Sequence, residues 1–205
     1  MQNQQPSTLK EIRVHGTQDF PCAFYQTGTR IKGNMVKHHW HEEVELLYFS
    51  GGEFCLEVNM ERFNISEECF YVINPGELHS ISVEKNGGCV ENAVVFHMDM
   101  LSSAYALDQI QTNLIQPVQN GSIQFPRCLR KNEPAFEPVR KSYEEIRNVF
   151  GGDSFRENYY DGEAVTDDIT RQLFIKSALL RILAVLSANN LFEVTEKNHD
   201  HRIET

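Results

Sequence analysis

Gly33-Asn-Met-Val-Lys-His-His39-Trp-His41-Glu-Glu-Val-Glu45-Leu-Leu-Tyr-Phe49-Ser-Gly-Gly52 is the stretch on which the fold turns. Successive side chains of a β-strand point to opposite faces. His39, His41, Glu43, Glu45, Leu47 and Phe49 therefore share one face of a strand beginning near Lys37, and His39, His41 and Glu45 converge on one cavity. Gly51-Gly52 suits a hairpin turn that needs positive φ. Further on, Asn74-Pro75-Gly76-Glu77-Leu78-His79 reads as a tight turn whose histidine opens another apolar strand.

Outward from this stretch, short apolar runs at 23–27, 44–49, 54–58, 70–73, 79–83 and 93–98 are separated by Gly, Asn and Pro. Strands of that length and spacing predict an all-β barrel or sandwich. Asn86-Gly87-Gly88 marks another turn. After Met98 the pattern changes. Residues 99–116 are expected to form a helix ended by Pro117, and 121–125 a short strand. Phe136, Val139, Tyr143, Ile146 and Phe150 recur at helical spacing, with Gly151-Gly152 as the stop. A polar loop, 152–163, leads to the strongest helix, 166–189, with Thr166 as the expected N-cap. That helix carries two apolar stripes, Ile169, Leu173, Leu180, Leu183 and Ile175, Leu179, Ile182, Leu186. One stripe suffices to pack on a barrel. The second stripe, Ile175, Leu179, Ile182 and Leu186, lies at heptad spacing and is assigned to a subunit interface, the alternative being burial of both faces within one chain.

The chain has 205 residues, 40% of them hydrophobic and 23% charged, enough for one well-buried core with an appendage. The expected divisions are a flexible start at 1–10, a barrel at 11–130, a helical dimerisation element at 131–192 and a tail at 193–205. A net charge of -10 argues against DNA binding by this chain alone, because phosphate contacts rest on clustered Lys and Arg. No stretch is apolar enough to span a bilayer and the start has no signal-peptide pattern, so the expected location is cytoplasmic. The cysteines, Cys22, Cys55, Cys69, Cys89 and Cys128, are widely spaced and read as reduced thiols, Cys55 and Cys69 as buried small apolar residues. His199 and His201 in the polar tail read as solvated side chains.

The first stretch resembles the first motif of the cupin superfamily at every fixed position, and the second resembles its partner motif. In the partner motif this chain has Asn74 where the family has proline, Glu68 near the leading glycine and Val83 for the trailing asparagine. Taken together, His-x-His-x3-Glu, the Gly-Gly hairpin and Ile-Asn-Pro-Gly-Glu-Leu-His are most similar to the amino-terminal effector domain of AraC-type transcription regulators. The resemblance implies a mainly β protein with C-terminal α structure, a jelly-roll cupin barrel followed by a helical dimerisation element. It implies a small polar effector, such as a carbohydrate, held by His39, His41, Glu45, Phe49 and His79, and a homodimer. DNA would be reached only through a C-terminal helix-turn-helix domain outside this chain, which is read as a fragment. Three imidazoles and one carboxylate, from His39, His41, Glu45 and His79, also suit a divalent metal, Zn, Fe, Mn or Ni. A metal-dependent cupin oxygenase or isomerase is the alternative function.

Overall fold

A computed structural model of the chain describes residues 7–86, 88–105, 108–152 and 162–195. The turn around Gly87, most of the loop 152–163, and His199 and His201 of the tail lie outside the described residues. The strands are β1 (Cys22–Thr29), β2 (Gly33–His39), β3 (Val44–Phe49), β4 (Phe54–Val58), β5 (Glu61–Ile65), β6 (Cys69–Ile73), β7 (His79–Val83), β8 (Cys89–Phe96), β9 (Ile123–Gln124), β10 (Cys128–Arg130), β11 (Gly162–Ala164) and β12 (Glu193–Val194). The helices are α1 (Gln116–Gln119), α2 (Phe136–Phe150) and α3 (Ile169–Ala188). A six-stranded sheet runs β10-β6-β3-β8-β1-β11, and a four-stranded sheet runs β2-β7-β4-β5. Every pairing between these strands of the two sheets is antiparallel. The fold is a jelly-roll, mostly β with helices towards the C-terminus.

Alternation along β3 explains the layering. Leu47 and Phe49 enter the apolar interior between the two sheets with Phe54, Leu56, Tyr71 and Ile81. Val44, Leu46 and Tyr48 point the other way, into a second core with Phe136, Val139, Tyr143 and Ile146 of α2 and Leu179, Ile182 and Leu186 of α3. The six-stranded sheet is thus covered on both faces, which is why its central strands read as nearly continuous apolar runs. The hairpin after β3 needs glycine at Gly52, where φ is +118° and a Cβ would lie 2.8 Å from the Phe54 ring.

Several sequence expectations need correction. The run from Lys37 to Phe49 is two strands. β2 ends at His39 in the four-stranded sheet, 40–43 cross between the sheets, and β3 begins at Val44 in the six-stranded one. The expected helix 99–116 is a 3₁₀ turn, Met98–Leu101, and later a π-helical turn, Gln111–Ile115, running into α1. Pro117 does not end the helix as expected: it is the second residue of α1, which continues the helical turn before it. α3 starts at Ile169 with Asp168 as its cap, the carboxylate accepting the Arg171 N–H at 2.9 Å, and Thr166 lies outside. At the chain start, Leu9 and Glu11 hydrogen-bond to the backbone of Trp40, at 3.0 and 2.9 Å, so the last residues of the segment expected to fray are tied to the barrel. No helix of the described residues is long and apolar enough to cross a membrane.

The stripe expected at a subunit interface is buried within a single chain instead. Ile175, Leu179, Ile182 and Leu186 are at most 5% exposed within a single chain and fill the space over the six-stranded sheet. Ile169, Leu173, Phe174 and Leu180 are instead 73%, 62%, 61% and 43% exposed. Sequence periodicity identified two stripes but contained nothing to say which one the barrel would take.

Of the cysteines, four are buried and Cys128 is half-buried on edge strand β10. Contact with Cys69 and Tyr71, aided by the charge of Arg130, outweighs burial and brings the Cys128 thiol down to about 7, while burial pushes Cys22 up. Iodoacetamide should therefore label Cys128 first, at a rate that rises as pH passes through about 7 and the thiolate forms. Peptide mapping that finds another cysteine labelled first would refute this.

Candidate functional site

The sheets converge at one end of the barrel on His39, His41, Glu45 and His79, each of which offers a ligand atom within 4.8 Å of the others. His39 closes β2 and is the direct cross-strand partner of His79, which opens β7. His41 sits in the crossing between sheets, and Glu45 projects inward from β3. The turn before His79 is held from three sides. The Gly76 N–H donates to the His41 carbonyl at 2.7 Å, the Asn74 side chain accepts the Phe125 N–H at 2.8 Å, and Arg127 makes a bidentate ion pair with Glu77. Asn74, a departure from the cupin pattern, thus has a fixed partner of its own. Glu68, the other departure, accepts hydrogen bonds from Tyr48 and Lys131, both at 2.6 Å.

The imidazoles share one orientation rule. Nδ1 of His39, His41 and His79 faces the carbonyl of Lys37, Glu43 and Glu77, at 2.8, 3.2 and 2.9 Å. A carbonyl only accepts, so Nδ1 carries the hydrogen, and in the neutral ring the Nε2 lone pair is turned towards the cluster. Nε2 of His41 and of His79 lies 3.3 and 3.0 Å from the same Glu45 oxygen. At His79 the contact lies off the direction of an N–H bond, and its buried Nε2 has no hydrogen-bond partner among the described residues. A buried, unpartnered imidazole nitrogen beside a carboxylate, with its tautomer fixed from behind, is the arrangement of a metal ligand. The residues fit a first-row divalent ion.

Electrostatics agree. Burial alone would raise the Glu45 carboxyl, but His41 and His79 outweigh it and hold the group well below its usual range. His79 is raised in turn, burial being overcome by Glu45 and the Glu77 carbonyl, whereas burial and the neighbouring His79 lower His39.

Three members of the cluster, His39, His41 and Glu45, line a cavity of about 380 Å³ together with other residues of both sheets and of the amino-terminal arm, while His79 is buried behind them. Phe49 has the expected parity but does not reach this cavity; it is fully buried against Phe54 and Tyr71. Missed in the sequence are Glu11, Arg13 and His15 of the arm and Tyr25 and Glu91 of the barrel wall. The arm reaches the cavity because Lys10 pairs with Trp40 in a parallel bridge, a long-range contact with no local signal. Burial raises the Glu11 carboxyl, but His15, His39 and His41 outweigh it, so the net shift is downward.

Comparison with known proteins places this geometry in a family. The AraC-like ligand binding domain family matches residues 26–149. The chain is 28% identical over 114 residues to an uncharacterized HTH-type transcriptional regulator, YdeC, of Bacillus subtilis, a match covering 52% of this chain and 39% of the relative. The chain thus aligns with well under half of that protein's length. Among solved structures, a predicted oxalate decarboxylase from Thermotoga maritima is 24% identical with a TM-score of 0.34, the match covering 36% of this chain and 64% of that one. A cupin protein from Bacteroides fragilis is 14% identical with a TM-score of 0.34, covering 42% of this chain and 70% of that one. With more than half of its length matched, this chain belongs to the AraC-like ligand binding domain family.

Proposed function

We propose that this chain is the effector-sensing and dimerisation part of an AraC-type transcription regulator, binding a small polar molecule in the cavity at His39, His41, Glu45 and His79. The observation that carries this reading is the cluster itself, opening onto a cavity large enough for a metabolite-sized ligand. Imidazole and carboxylate groups offer both donors and acceptors, the mixture that a carbohydrate or related hydroxylated compound needs. The same four side chains would hold a divalent metal, which would supply a Lewis-acidic anchor for an oxygen of the effector. Effector binding would then shift the population of arrangements between the barrel and a DNA-reading domain, as the resemblance to a helix-turn-helix regulator suggests.

A ligand that binds only the folded barrel raises the melting temperature by mass action. A screen of polar metabolites, with and without added divalent metal, should find one that does so and is recovered unchanged. His41→Ala should weaken that stabilisation about tenfold or more in ligand concentration, while the protein still folds. The enzyme reading draws on the bare Nε2 of His79 among three imidazoles and a carboxylate. Near-stoichiometric iron or manganese, together with oxygen consumption or isomerisation that is lost in Glu45→Ala, would replace the sensor by a metal-dependent cupin enzyme.

Dimerisation is assigned here to the exposed face of α3, Ile169, Leu173, Phe174 and Leu180. Leu173→Glu with Phe174→Glu should give a folded monomer by sedimentation at tens of micromolar, where a dimer is expected of the unmodified chain. An unchanged mass in the double variant would remove α3 from the interface.

A further inference from the structure

Beside the first cluster lies a second set of ligand-capable atoms, from Glu11, His15 and His41, again all within 4.8 Å of one another. Its geometry is set by the barrel wall. The Tyr25 hydroxyl donates to the Glu163 carboxylate at 3.0 Å, so the Tyr25 oxygen accepts from Nδ1 of His15 at 2.7 Å. That places the hydrogen of a neutral His15 on Nδ1 and leaves Nε2 as a lone pair. His15 is 4% exposed, and its Nε2 has no hydrogen-bond partner among the described residues although a Glu11 oxygen lies 3.3 Å away. The same Glu11 oxygen lies 3.3 Å from Nε2 of His39, whose Nδ1 is committed to the Lys37 carbonyl.

Two ligands bound at roughly 2.0–2.2 Å to one cation stand about 3.0–3.5 Å apart. The Glu11 contact to His15 has that separation, without the direction of a hydrogen bond. Glu11 and His15 do not belong to the first cluster, so one ion cannot be shared by all of these groups at their present positions. Nε2 of His41 has a single lone pair and can serve one cation only, which makes the second position the weaker if the first takes it.

We propose that Glu11 and His15 form a second divalent-cation position, next to the first and on the arm side of the cavity, with coordination sites left for water or for oxygens of a cavity ligand. Imidazole with carboxylate suits zinc, manganese, iron or nickel rather than calcium or magnesium. The second cation would fasten the arm to the barrel wall through Tyr25. The position stands on the arm residues and is independent of any role in transcription.

The test is calorimetric titration of metal-free protein with Zn(II), in a His199→Ala/His201→Ala background so that tail histidines take no metal. Two equivalents of unequal affinity are expected. Glu11→Gln and His15→Ala should each abolish the weaker one, while Glu45→Ala should remove the tighter and spare the weaker. Tyr25→Phe, which removes the group that fixes the His15 tautomer, should weaken only the second equivalent, by about 10–100-fold. Because Glu11→Gln preserves shape, and far-UV circular dichroism reports folding for each variant, loss of structure cannot imitate the result. A single equivalent in the parent, or two equivalents surviving in both Glu11→Gln and His15→Ala, overturns the proposal.

Discussion

Leu179→Glu will unfold this protein rather than dissociate it. Leu179 is 1% exposed and faces Val44, Leu46, Phe70 and Phe96 across the space between α3 and the six-stranded sheet. No cation among the described residues lines that space, so a carboxylate placed there would be stripped of water without a partner. The cost is on the order of 5 kcal/mol or more, comparable with the whole stability of a domain this size. Urea denaturation or circular dichroism should find the variant largely unfolded at 25 °C. Leu179→Met, which keeps the volume, should lose under about 1.5 kcal/mol. A folded Leu179→Glu protein would mean that α3 does not pack on the barrel as described.

Arg127→Ala should be the most damaging change to the turn that presents His79. The guanidinium donates to the Val72 carbonyl at 2.6 Å and to Glu77 at 2.7 Å, and Glu77 also accepts the Asn74 N–H at 2.8 Å. Glu77 is 8% exposed, so losing Arg127 leaves a buried carboxylate without its counter-charge, a loss of about 3 kcal/mol. The Glu77 carbonyl is also the acceptor that orients His79. Metal or effector affinity should therefore fall together with stability. Pairing Arg127→Met with Glu77→Gln should recover part of the stability, since neither buried charge then remains. A loss below about 1 kcal/mol for Arg127→Ala would show the ion pair to be dispensable.

How much of this was legible in the sequence follows the range of the interactions. Strand positions in the barrel were readable because alternation and turn residues are local, and the jelly-roll follows from them together with the two motifs. The grouping of His39, His41, Glu45 and His79 could be anticipated from parity, although the chain reaches it by changing sheets at 40–43. Phe49 shows where parity stops. It has the inward orientation, but Phe54 and Tyr71 close over it farther down the barrel, and depth along a strand has no periodic signature. Glu11 and His15 were invisible because their approach depends on the backbone of Trp40, some 30 residues away, and on Tyr25. The choice between the two stripes of α3 was equally non-local, decided by which face meets Leu46, Phe70 and Phe96.

The six-stranded sheet begins and ends with three-residue strands, β10 and β11, that come from parts of the chain after the barrel proper. Without β11, Phe24, Tyr25 and Gln26 of the eight-residue strand β1 would offer unpaired backbone N–H and C=O groups to any other extended chain. Such an edge is a template for aggregation. A barrel cut near residue 130 would keep the cavity residues of 11–95 and lose this guard, together with α2 and α3, which cover the sheet's outer face. Anyone dissecting the protein should therefore expect the shortest soluble sensor to extend through α3, with solubility itself, and not the effector site, dictating where the cut can be made.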